Sequence, residues 1–273
     1  VTASDSTWIA QAVAALRAAG CVFAEDEAEL IAAEVSPERR DRVVARRAAG
    51  EPLEQLVGWA EFRGLRIPVA PGVFVPRRRT GALVDVLAPL LHAGDAVVEL
   101  CCGAGAVSAA LAHEHPELSL QLHLGDIDPA AVSCAREALA RVGIDPDRAR
   151  TGDLFDAVPA AVRGRVDAIV ANAPYVPTDE IALMPTEARD HEAPAALDGG
   201  ADGLALHRRI LAEAPAWLRP GGALIIETSR RQAETDLSLF EAAGFRAEIR
   251  RDEEVDGTVV LGRLGASQAA DLG

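Results

Sequence analysis

The stretch Val166-Asp167-Ala168-Ile169-Val170-Ala171-Asn172-Ala173-Pro174-Tyr175 decides how this chain is read. It is a short, partly β-branched apolar run that starts just after Gly164 and stops at a polar tetrapeptide containing proline and tyrosine. This pattern predicts a strand buried on both faces, as in a parallel sheet. Open α/β sheets take their ligands at the carboxyl ends of such strands. Here that end carries an amide side chain, a proline-restricted backbone and an aromatic ring. The Asn172 side-chain carbonyl and the Ala173 backbone carbonyl can each accept from an –NH₂ group, while Tyr175 covers one of its faces. A planar, weakly nucleophilic nitrogen suits this set, and its other face is left open to an electrophile.

Moving outward, residues 97–100, 120–124 and 222–227 repeat the apolar run, and a weaker strand precedes Thr151. Helical stretches separate them: from about Val107 to His113, after Asp128-Pro129, near Asp202, and over residues 232–243 up to Gly244. Strand and helix in alternation predict a mostly parallel sheet with helices on both faces. Residues 245–250 and 258–264 close the chain around the turn-like Asp256-Gly257.

Residues 1–60 read as a separate helical module. Thr7 is expected to cap the first helix, and the third has Ser36 at its N-cap, Pro37 at its first position and Gly50 just past its end. Residues 61–69 alternate around Gly64 as a short hairpin does, so 61–76 is assigned as a linker and 77–273 as the main domain.

A formal charge of −15 argues against a bare nucleic-acid surface, which needs clustered Lys and Arg. A protein or small-molecule partner is expected instead. Cys21, Cys101, Cys102 and Cys134 have neither metal-ligand nor disulfide-framework spacing. They are taken as reduced thiols of a cytoplasmic protein, with no metal site. No signal segment and no bilayer-spanning apolar run is read.

Gly103-x-Gly105, between a strand and a helix, lets a ligand approach the backbone. A dinucleotide site would carry a third glycine where Ser108 stands. Asp126, about twenty residues downstream at the end of the second strand, is placed to accept from both ribose hydroxyls. Glu99 precedes the turn, and Asp153 follows the third strand, placed to accept from an adenine amino group. Acids and glycines along successive strand ends describe a nucleoside held without phosphates, which suits S-adenosyl-L-methionine. His123, His191 and His207 are scattered and receive no catalytic role.

With these residues in place, the sequence resembles a class I S-adenosylmethionine-dependent methyltransferase, and more narrowly the HemK-type protein-(glutamine-N5) methyltransferases that modify peptide-chain release factors. The resemblance runs from about Glu51 to Leu264. It rests on Pro52-Leu53, Val57-Gly58, Glu61-Phe62, Gly64-Leu65, Pro71-Gly72-Val73-Phe74-Val75-Pro76-Arg77, the glycine turn, Asn172-Ala173-Pro174-Tyr175 and Ala196-Leu197-Asp198-Gly199-Gly200-Ala201-Asp202-Gly203-Leu204. It implies a Rossmann-like, seven-stranded α/β domain and a helical N-terminal domain that grips the release factor. It further implies that Asn172, Ala173, Pro174 and Tyr175 hold the substrate glutamine in a pocket lined by Phe74, with Asn172 and Tyr175 as the catalytic pair. Glu99, Gly103, Gly105, Asp126, Asp153 and Asn172 would hold the cofactor. Ala173 replaces the family's first proline, and Pro76-Arg77-Arg78-Arg79-Thr80-Gly81 replaces its Pro-Arg-Pro-Glu-Thr-Glu. With a helical module short by about one helix, these departures mark a divergent paralogue.

The activity expected is N-methylation of a glutamine side chain in a protein. The rival readings are an N-methyltransferase for an amide or amine on another protein or small molecule, and a cofactor-binding module without turnover. Methylation of nucleic-acid adenine is disfavoured by the charge.

Overall fold

The computed structural model describes residues 3–265. It opens with helices α1 (Ala3–Ala18), α2 (Ala24–Glu34), α3 (Pro37–Ala48) and the five-residue α4 (Leu53–Val57). The first helix starts earlier than expected. Nothing in Ala3-Ser4-Asp5-Ser6 bars helical torsions, so Thr7 lies inside α1 rather than capping it. These helices share a core of their own around Leu16, Ile31, Val43 and Leu56. Strands β1 (Trp59–Phe62) and β2 (Leu65–Pro68) pair antiparallel. Arg63 and Gly64, at φ 51° and 77°, form the tight connection that matches the twist of a two-residue hairpin.

Helix α5 (Gly81–Leu87) leads into β3 (Ala96–Leu100), α6 (Ala106–Glu114), β4 (Gln121–Asp126), α7 (Pro129–Arg141), β5 (Ala149–Thr151) and β6 (Val166–Ala171). After the short α8 (Thr186–His191) come α9 (Ala205–Trp217), β7 (Leu218–Glu227), α10 (Ala233–Ala242), β8 (Phe245–Asp252) and β9 (Gly257–Leu264). The strands form one seven-stranded sheet in the order β5-β4-β3-β6-β7-β9-β8, in which β9 runs antiparallel to both neighbours.

The central strands read as continuous apolar runs because both faces are covered. Val97, Ala168, Val170 and Ile225 join the core that also holds Leu83 of α5, Leu111 of α6 and Leu139 of α7. Their neighbours Val98, Ile169, Ala171, Leu224 and Ile226 point the other way, onto Ile210 and Leu211 of α9 and Phe240 of α10. Among the described residues no helix is long and apolar enough to cross a membrane.

Candidate active site

The register of the sheet builds the site. Leu100 of β3 lies beside Gly125 of β4 on one side and Ala171 of β6 on the other, and Ala171 lies beside Ile226 of β7. The next residue along each strand direction is therefore Asp126, Cys101, Asn172 and Glu227, four side chains in one row at the carboxyl edge. The chain crosses from β3 through α6 to β4 on one side and reaches β6 on the other, so this row straddles the point where ligands enter such sheets. A cavity of about 470 Å³ opens there, lined among others by Phe74, Thr80, Gly103, Asp126, Asp153 and the Asn172–Tyr175 turn.

The cavity floor on the β4 side is the glycine turn. Asp126 accepts from the Gly103 N–H at 2.8 Å and from the Asp128 N–H at 2.9 Å, which fixes its carboxylate at the mouth of β4. Burial raises its pKa above the ordinary carboxylate range, and those backbone donors oppose the rise. Gly103 stands at φ 51°, and a Cβ there would meet no protein atom within 4 Å, because its open side is the cavity. Gly105, at φ 72°, does not line the cavity. A Cβ on it would press on Ala135 and Leu124, so it seats the turn against α7.

Glu99 is placed beneath the turn rather than in the cavity. It is buried, and its Oε2 accepts from the Ser108 N–H at 2.9 Å, in the first turn of α6. Desolvation pushes its pKa up to about 7. Asp153 does line the cavity, and it is ion-paired with Arg209 of α9 at 2.8 Å. Cys101 and Cys102 line it too, with their thiols held neutral by burial.

On the β6 side, Asn172 donates from Nδ2 to the Thr80 hydroxyl at 3.3 Å, while its carbonyl oxygen takes no hydrogen bond from the described residues. The Tyr175 hydroxyl donates to Glu227 Oε1 at 3.4 Å, and burial raises the phenol's pKa to about 12. Glu227, 1% exposed, also receives Arg79 Nε at 3.3 Å. Arg79 thus forms an internal ion pair with a buried acid. Phe74 sits under the Arg77 guanidinium, 5.1 Å from the ring centroid, and Arg77 is tied to the buried Glu192 at 2.5 Å. Glu192 also accepts from the Val75 N–H, so the Val73-Phe74-Val75 wall is held from behind by the segment that follows α8.

Sequence reading missed Thr80, Glu227, Glu192 and Gln232. Glu227 was findable, because it ends its strand as Asn172 ends the neighbouring one. Gln232 has no such signal: its Nε2 joins the carbonyls of Tyr175 and Asp202, a link that exists only once the loops are folded. His123, His191 and His207 stay outside the cavity lining. His207, which received no catalytic role, is fully buried on α9 and bonded through Nδ1 to Asp236 at 2.9 Å.

The donor set fits S-adenosylmethionine. Fixed carboxylates and carbonyls suit hydroxyl and amino groups, the glycine turn is open on its cavity side, and Ser108 stands where a pyrophosphate would need glycine.

The family model described as methyltransferase small domain matches residues 64–202. The release factor glutamine methyltransferase of Geobacter sulfurreducens is 37% identical over 224 residues, covering 82% of this chain and 77% of that protein. The release factor glutamine methyltransferase of Mycolicibacterium smegmatis is 37% identical over 269 residues, covering 92% and 94%. Among solved structures, a methyltransferase from Pyrococcus furiosus superposes with a TM-score of 0.54 at 17% identity, over 84% of this chain and 100% of that one. At that identity the likeness speaks for the fold.

Proposed function

The chain belongs to the release factor glutamine methyltransferase family, and from that premise we propose that it methylates the side-chain amide nitrogen of a glutamine in a peptide-chain release factor, in the cytoplasm. The observation that carries the reading is the shared cavity: the Asn172–Tyr175 turn and the Gly103–Asp126 pair face it from adjacent strand ends.

S-adenosylmethionine, when bound, supplies an electrophilic methyl group. Asp126 would hold its ribose hydroxyls, Gly103 would let it lie close on the backbone, and Asp153 would accept from its adenine amino group. Glu99 serves from below, by holding the Ser108 N–H at the start of α6.

An amide nitrogen is a poor nucleophile because its lone pair is delocalised into the carbonyl. The Asn172 side-chain carbonyl and the Ala173 carbonyl accept the two amide hydrogens, aim the nitrogen at the methyl group and stabilise the positive charge that develops there. Pro174 keeps Ala173 extended, so its carbonyl remains an acceptor although Ala173 is not itself proline. Tyr175 and Phe74 cover the amide plane and exclude water. Alignment of two bound reactants removes about 7–11 kcal/mol of barrier, and the methylated amide cation is acidic enough to shed its proton without a strong base.

The test is mass spectrometry of purified release factor after incubation with methyl-labelled S-adenosylmethionine and either wild-type protein or Asn172→Ala. A single methyl on one glutamine, absent with the variant, is expected. An unmodified release factor, with calorimetry still showing cofactor binding, overturns the substrate. Absence of cofactor binding overturns the reaction.

A further inference from the structure

We infer that Thr80 is a positioning residue, which sets the orientation of the Asn172 amide, and that Glu227 is the anchor that orients Thr80. The inference rests on the proposed reaction for its purpose and on the hydrogen-bond pattern for its substance.

An asparagine amide has two ends of nearly equal shape and opposite hydrogen-bonding character. Only the orientation that turns Oδ1 toward the cavity can accept from a substrate –NH₂ group, and with the amide reversed two donors would face each other. Something in the protein must choose. Asn172 Nδ2 donates to Thr80 Oγ1 at 3.3 Å. A hydroxyl has one proton and two lone pairs, so Thr80 imposes this choice only if its proton is committed elsewhere.

Glu227 supplies that commitment. It sits one residue beyond Ile226, whose register partner is Ala171, so its strand end flanks that of Asn172. Its Oε1 receives Arg79 Nε and the Tyr175 hydroxyl. Its Oε2 is buried without a fixed partner, an acceptor that draws any rotatable hydroxyl proton beside it. Thr80 is one of the groups that oppose the cost of burying this acid, and its rotatable proton is the one inferred to turn toward the unpartnered Oε2. Burial raises the pKa of Glu227 while Arg79 opposes the rise, and in its ionised form, paired with Arg79, the acid can only accept. Thr80 then donates to it and accepts from Asn172, and the Asn172 carbonyl is left for the substrate. The same carboxylate holds the Tyr175 phenol, so both side chains of the turn that face the substrate are set from one buried acid.

The experiment compares Thr80→Val, which keeps the shape and loses the hydroxyl, with Thr80→Ser, which does the reverse. The first readout is the Asn172 side-chain ¹⁵N–¹H pair in the substrate-free full chain, assigned by its loss in Asn172→Ala. The second is turnover on release factor. Thr80→Ser is expected to keep an exchange-protected Asn172 amide proton and near-normal kcat. Thr80→Val is expected to lose that protection and to lower kcat roughly 10- to 100-fold, with cofactor affinity unchanged. Glu227→Gln, whose amide can donate as well as accept, frees the Thr80 proton and carries the same expected loss, so the idea stays testable if one variant folds poorly. An unchanged Asn172 amide in Thr80→Val overturns the inference, as does an equal loss in Thr80→Ser, which points to packing. Should wild-type protein leave glutamine unmethylated while the amide signals follow the expected series, the positioning chain stands and the substrate reading falls.

Discussion

The side-chain amide of Gln232 donates to the backbone carbonyl of Tyr175 at 2.9 Å. The same nitrogen lies 3.1 Å from the Asp202 carbonyl, so one side chain ties the Asn172–Tyr175 turn to the Gly199–Leu204 loop. Gly203 lies inside this junction at φ 79°, and a Cβ there would collide with the Tyr175 carbonyl and Gln232 Nε2. Gln232→Ala is expected to cost about 1 kcal/mol, because it leaves two partly exposed carbonyls without their shared donor, and Gly203→Ala at least as much. Urea denaturation measures both. A Gly203→Ala protein as stable and as active as wild type would mean that the two loops are not packed as described.

Asp126 is fixed by two backbone N–H groups, and its remaining lone pairs face the cavity. Asp126→Asn keeps the shape but turns one acceptor into a donor, so cofactor affinity is expected to fall roughly 10- to 100-fold. The pH response gives a second check. Burial raises the acid's pKa, so protonation on acidification begins above the ordinary carboxylate range. Wild-type affinity should therefore weaken as pH falls into that range, while Asp126→Asn should be flat there. Calorimetry across pH decides, and the same flat profile for both proteins would remove Asp126 from the binding site.

The fold was legible because its signals are local. Buried strands such as Val166–Ala171 carry apolar runs with a single polar residue, here Asp167, and Gly, Pro and Asp punctuate the helices between them. Register is not local. The pairing of Ala171 with Ile226 makes Glu227 a neighbour of Asn172, although 55 positions separate the two in sequence by their numbering. Arg79 shows the same limit: as sequence it is a cation in an acid's place, and only folding shows its charge spent on Glu227. Glu99 and Asp126 both stand near the ends of apolar runs, yet one points under the turn and the other into the cavity, because Glu99 lies within β3 and Asp126 closes β4.

Glu99 imposes a pH-dependent cost on the fold. Desolvation moves its pKa from 4.5 in an exposed carboxyl to about 7 in the folded chain. Between those values the unfolded chain binds fewer protons than the folded one, so stability falls as pH rises through the window. Above it the penalty is constant, on the order of 3 kcal/mol. Glu99→Gln keeps a carbonyl for the Ser108 N–H and cannot ionise. The variant is expected to match or exceed wild type in stability above pH 7 and to lose the slope below it. Chemical denaturation at a series of pH values measures this, and parallel curves for the two proteins would show that Glu99 titrates normally.

Arg47 joins the helical module to the segment that walls the cavity. Its guanidinium binds Glu27 of α2 at 2.7 Å and pairs with Glu187 of α8, with 10% of its side chain exposed. Gln55 of α4 reinforces the joint by donating to the Val73 carbonyl at 3.0 Å and the His191 carbonyl at 3.2 Å. Arg47→Met keeps the apolar stem and leaves two acids without their cation, so a loss of about 1–3 kcal/mol is expected. The loss should concentrate on α8 rather than on the sheet, because the link to α8 is the one removed. Hydrogen exchange should then quicken over residues 186–192 while β3 and β6 keep their protection. Uniform loss of protection along the chain would instead make Arg47 a general contributor to stability, and the joint would rest on Gln55 alone.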